Sequence, residues 1–96
     1  MSKSYIVPDN IFFQELEDEL FILSFNSSEY FGLEGVGKKI WELINDGHTE
    51  EETLLELAKL YPDIASETLT TDLRELIDSF CNFGLLVESN KTAETA

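Results

Sequence analysis

The residue types that could do chemistry in this chain are few, and each can be tested by its spacing. Gly32, Gly37 and Lys38 satisfy GxxxxGK within "EYFGLEGVGKK" (29 to 39), the pattern of a phosphate-cradling loop between a strand and a helix. A phosphate loop needs a Ser or Thr hydroxyl at the next position to hold magnesium, and Lys39 stands there, so nucleotide chemistry is not expected. His48 is the lone histidine, beside the Thr49 cap in a polar turn, and assembles neither a zinc cluster nor a His-based triad. Asp72 and Glu75 are paired carboxylates without a nearby nucleophile, and Glu50, Glu51 and Glu52 are explained by a helix dipole rather than a metal. Cys81, the single cysteine, lies in a helical pattern and reads as a small buried hydrophobe. No enzyme, cofactor or metal is therefore expected.

Composition narrows the partners. Twenty Asp and Glu against six Lys and Arg give a formal net charge of -14, which repels nucleic acid and anionic lipid. With 43% hydrophobic residues the chain can fill one core, and 96 residues suit one domain. A single cysteine, the absence of a signal-peptide run and the absence of a long apolar span predict a cytoplasmic protein with no membrane partner.

The elements follow from periodicity. Residues 1 to 10 read as a polar lead-in. "IFFQEL" (11 to 16) and "LFILSF" (20 to 25) have strand composition, and "YFGL" (30 to 33) is a shorter third strand with Phe31 and Leu33 on one side and Tyr30 on the other. The period then changes. Val36, Ile40, Trp41, Leu43 and Ile44 share one side of a helix that stops before Gly47. A capping box, Thr49 with Glu52, opens a second helix whose face carries Leu54, Leu57, Ala58 and Tyr61, and Pro62 closes it. A third begins near Ser66, carries Leu69, Leu73, Leu76, Ile77, Phe80 and Phe83, and ends at Gly84. The fold class is α+β, winged-helix-like: a three-stranded antiparallel sheet followed by three helices. The domain is expected to span 11 to 87, with 88 to 96 as a disordered acidic tail.

One feature survives as a candidate site. If "EYFGL" is the last strand of a meander, one side of it is unpaired and can take in a strand from another chain. The residues alone leave a second outcome equally open, an edge capped by the third helix.

In order and spacing, "EYFGLEGVGKKIWELI" (29 to 44), "GHTEEETLLELAKLYP" (47 to 62) and "TDLRELIDSFCNFGLLV" (71 to 87) resemble the PqqD-like family, the peptide-binding domains known as RiPP recognition elements. Y-F-G-L before G-x-x-I-W, and D-L-x-x-L-I-x-x-F-x-x-x-G-L-L, carry the likeness, which is greatest to the small stand-alone members of lasso-peptide gene clusters. The resemblance implies a protein that binds the leader of a ribosomally made precursor and presents it to a separate leader peptidase or other modifying enzyme. It implies a leader strand on the backbone of Glu29, Tyr30, Phe31, Gly32 and Leu33, with Asp72, Leu73, Leu76, Ile77 and Phe80 as the groove wall. Of the wall residues, Leu73, Leu76 and Phe80 also lie on the core stripe, and Asp72, Ile77 and, at the edge of that stripe, Leu76 are expected to touch the peptide. A chaperone serving a radical enzyme on a quinone-cofactor precursor has nearly the same pattern. A winged helix that reads DNA is disfavoured, because the third helix offers Arg74 alone among Asp72, Glu75 and Asp78.

Overall fold

A computed structural model of the chain describes residues 3–89. Three strands form an antiparallel meander in the order β2 (Ile11–Leu16), β3 (Glu19–Ser24) and β4 (Glu29–Leu33). Three helices follow, α1 (Gly35–Asn45), α2 (Glu50–Leu60) and α3 (Ser66–Asn82). Two further strands frame the domain: β1 (Ser4–Ile6) pairs antiparallel with β5 (Val87–Ser89), Tyr5 facing Glu88.

The framing strands correct the expected boundaries. The lead-in contributes β1, with Tyr5 buried and its phenol donating to Glu50 Oε2 at 2.5 Å. Residues 88 and 89 belong to β5 rather than to a tail, and the remainder of the expected tail lies outside the described residues. The first of these strands was not legible as such, because a three-residue strand has no period to read and its partner sits at the other end of the chain.

Alternation sets the sheet's two faces. Leu20, Ile22 and Ser24 of β3 are buried toward the helices, as is Ile11 of β2. The core closes over Trp41 of α1, which is fully buried between the ring of Phe13 (centroids 5.5 Å apart) and that of Phe80 (5.0 Å), both edge-on. Leu57 from α2 and Leu69, Leu73 and Ile77 from α3 complete it, each such side chain contributing about 1.5–3 kcal/mol by leaving water. The capping box of α2 is present as expected: Glu52 N–H donates to Thr49 Oγ1 at 3.1 Å and Thr49 N–H to Glu52 Oε1 at 3.0 Å. Ala58, expected on the inner face of α2, is exposed, and Thr53 is buried in that face instead. Cys81 is likewise exposed rather than buried.

Candidate functional site: an open strand edge beside an apolar groove

The site begins with main-chain groups. The Phe25 N–H donates to the Asn10 carbonyl at 3.0 Å, one step beyond the Ile11–Ser24 pair of the β2–β3 ladder. Along an antiparallel strand each residue aims both its N–H and its C=O at one neighbour, and successive residues alternate. Residues 19, 21 and 23 of β3 therefore bond to β2, while 20, 22 and 24 bond to β4. Their partners on β4 are Leu33, Phe31 and Glu29. Tyr30 and Gly32 are left with their N–H and C=O directed outward, from the edge strand of this sheet.

A groove runs between that edge and α3. It has a volume of about 390 Å³ and is lined by Tyr30, Phe31, Gly32 and Leu33 from β4, by Leu76, Ser79 and Phe80 from α3, and by Phe83 and Leu85 beyond it. Phe83 is 54% exposed even though its ring packs on Phe31 with centroids 4.9 Å apart, so the far wall of the groove is an accessible aromatic surface. A second trough of about 340 Å³ continues between α1 and α3, sharing Leu76 and Ser79 and adding Val36, Gly37, Ile40, Asp72 and Glu75. The site thus passes from an apolar end at Phe83 to an acidic end at Asp72 and Glu75. The helix does not cap the edge; it stands across the groove from it.

Two glycines border the site. Gly35, at φ +62°, makes the sharp strand-to-helix turn. At Gly37 a Cβ would stand in ordinary van der Waals contact, 3.5 Å from Leu76 Cδ2 and 3.7 Å from Leu33 Cδ2, which places this residue where α1 meets α3 and β4. Gly37 is inside α1, not in a loop, and the lysines after it are engaged with carboxylates: Lys38 with Glu15, which raises the lysine pKa, and Lys39 with Glu42 at 3.4 Å. That arrangement leaves no phosphate cradle. Gly32 is no bulge, since it sits opposite Phe21 in an unbroken ladder.

The sequence-predicted residues separate into three groups. On β4, Glu29, Phe31 and Leu33 have their backbones committed to β3, and only Tyr30 and Gly32 present theirs to the edge. On α3, Leu76 and Phe80 line the groove and exposed Asp72 lines its extension. Leu73 and Ile77, each only 3% exposed, turn into the core and line neither groove. Ile77 as a peptide contact is therefore corrected: it shares the central stripe with Leu69, Leu73 and Phe80, and Leu76, one step around the helix, is the flank residue. Ser79, Phe83 and Leu85 were missed. Ser79 stands three residues after Leu76 and Phe83 seven, on the same face, which was a readable signal; Leu85 reaches the groove only after the chain reverses at Gly84, φ +76°.

Among the described residues no group of three or more His, Cys, Asp or Glu could hold a metal ion, and no helix is long and apolar enough to cross a membrane.

An α+β domain with a bare edge strand facing an apolar groove along its last helix has the architecture of a RiPP recognition element. The chain belongs to the PqqD family: the family model described as coenzyme PQQ synthesis protein D matches residues 19–86. Two solved structures are similar to it. TbiB1 in complex with the TbiA(beta) leader peptide is 30% identical over 83% of this chain and 92% of that one, with a TM-score of 0.78. Lasso peptide synthetase B1 complexed with the leader peptide shares the fold at 19% identity, covering 88% of this chain and 98% of that one, with a TM-score of 0.80. No curated protein gives a significant match.

Proposed function

We propose that this chain binds the leader segment of a ribosomally made precursor peptide as an added strand on β4 and presents it to a separate leader peptidase in lasso-peptide biosynthesis. The observation that carries the reading is the pair of outward-facing main-chain positions, Tyr30 and Gly32, set beside an apolar groove. An added strand gains affinity from such a ladder, while side chains entering the groove set specificity. The leader peptides held by the two similar structures support the same use of this fold. The chain itself is read as non-catalytic, because no nucleophile, base and orienting group come together in the site.

The test is to follow precursor mass with the chain alone, with the peptidase alone and with both. A stable leader complex, no cleavage by the chain alone, and faster cleavage by the peptidase when the chain is present are expected. Absence of a complex would overturn leader binding, and peptidase activity indifferent to the chain would overturn presentation. The description of the matching family model favours one other reading, a chaperone for a radical enzyme in quinone-cofactor or other modified-peptide synthesis. It uses the same groove and is separated by which enzyme the chain accelerates.

A further inference from the structure

The last helix ends beside an aromatic side chain that the fold leaves half in water. Main-chain bonds close that helix end: Phe83 N–H donates to the Ser79 carbonyl at 3.0 Å, Gly84 N–H to Cys81 at 3.1 Å and Leu85 N–H to Phe80 at 2.8 Å. Leu85 and Leu86, buried in the core, anchor the segment that follows. The Phe83 ring serves neither purpose; more than half exposed, it lies against Phe31 in the groove.

The ladder fixes what such a ring can meet. Directly opposed residues of an antiparallel pair share a face, so Phe31 and Leu33 look toward the helices with their buried partners Ile22 and Leu20. A strand added to β4 in the antiparallel sense of this sheet bonds to Tyr30 and Gly32, and one of its residues lies between those bonded positions, opposite Phe31. Such a pair exchanges no main-chain bond and is the closer-set kind, with Cα atoms about 4.5 Å apart. The side chain of that residue enters the groove beside Phe31, where Phe83 stands. Its two neighbours along the strand turn theirs to the other face.

We propose that Phe83 is a specificity-determining residue, selecting a large apolar side chain at the single leader residue that lies opposite Phe31. The assignment rests on the leader-binding reading above and adds one position and the chemical class required there. The Phe31 and Phe83 rings, inclined at 44°, present adjoining aromatic faces, and Leu76 and Phe80 line the same groove. Among the described residues no charged side chain lines it, so a charged leader residue there loses water without gaining a partner. A small one leaves the Phe83 ring in water, forgoing the apolar area that a large one would cover.

The experiment titrates a synthetic leader peptide, from the precursor of the same gene cluster, against the full chain as wild type, Phe83→Ala and Phe83→Leu, with circular dichroism melts on each. Phe83→Ala is expected to weaken the leader about tenfold and Phe83→Leu about two- to threefold, in the order of the apolar area that remains to be covered. Should Phe83→Ala melt early, Phe83→Leu carries the comparison. Repeating the titrations with each large apolar leader residue changed in turn to Ala locates the partner: one change loses most of its effect in the Phe83→Ala chain, and the others add to it. Hydrogen exchange on the bound leader reads the same position independently. The amides on either side of the coupled residue, bonded to Tyr30 and Gly32, should exchange slowly, and its own amide, directed away from β4, quickly. Affinity unchanged or improved in both folded variants overturns the assignment, as does a loss that couples to no leader residue, or coupling to a residue whose own amide is protected. A wild-type chain that binds no leader overturns instead the reading on which the assignment rests.

Discussion

Gly32→Pro separates an added strand from every other way of holding a peptide at this site. The substitution removes one outward N–H and none that serves the β3–β4 ladder, since Phe31 and Leu33 carry those bonds. The fold should therefore survive, as proline is tolerated on an edge strand whose N–H faces away from the sheet. A leader strand loses one main-chain hydrogen bond, a net of about 0.5–1.5 kcal/mol, and its carbonyl is left facing a nitrogen without a proton, which costs about 1–3 kcal/mol where water is excluded. A combined loss of about 2 kcal/mol corresponds to roughly 30-fold weaker binding. The matched control is Gly32→Ala, which keeps the N–H. Its Cβ would meet Glu19 Oε2 at 3.3 Å and Phe21 Cε1 at 3.6 Å, a contact the flexible carboxylate end can relieve, and its binding should stay within about threefold of wild type. Titration of a fluorescently labelled leader, with circular dichroism melts on each variant, reads both quantities. A folded proline variant with unchanged affinity would refute strand addition at this edge, and an alanine variant as weak as proline would assign the loss to crowding instead of the hydrogen bond.

Other expectations rest on charge and on single contacts. Reversing Asp72 to Lys at the acidic end of the trough should slow association of a Lys- or Arg-containing leader several-fold in ~0.05 M salt while leaving its dissociation rate nearly unchanged, a difference that fades as the screening length falls to about 10 Å at 0.1 M, and stopped-flow rates across a salt series check it. Tyr5→Phe should cost about 1 kcal/mol by removing the hydrogen bond to Glu50, measured by urea unfolding. Burial, then that hydrogen bond, raises the Tyr5 pKa above its ordinary value; the folded state holds the proton more tightly, so the wild-type advantage should be full below pH ~10 and decline as pH rises beyond it. Cys81, though exposed, has its thiol pKa raised by partial burial and then by the carboxylates of Asp78 and Glu88, so alkylation at neutral pH should run slower than for a free cysteine peptide, and a faster rate would contradict that environment.

The sequence by itself determined what depends on neighbours along the chain. Alternation in "LFILS", the three- and four-residue spacing from Leu69 to Phe80, the Thr49–Glu52 cap and the glycines at 47 and 84 specify strands, helices and their ends, because each signal is completed within one or two turns of backbone. The meander and the edge position of β4 were legible for the same reason, since consecutive strands joined by short turns pair in order. Tertiary structure decided the rest. Which β4 residues have free main-chain groups depends on a register carried across three strands from the Asn10–Phe25 bond, so five equivalent-looking positions become two, Tyr30 and Gly32. Whether Ile77 or Leu76 meets the groove depends on the rotation of α3 against the sheet, a matter of packing that a stripe of apolar residues leaves undetermined by one position. Leu85 enters the site only after the reversal at Gly84, and β1 finds β5 only once the helices have brought the chain's two ends together, so neither arrangement has a local signature from which to be read.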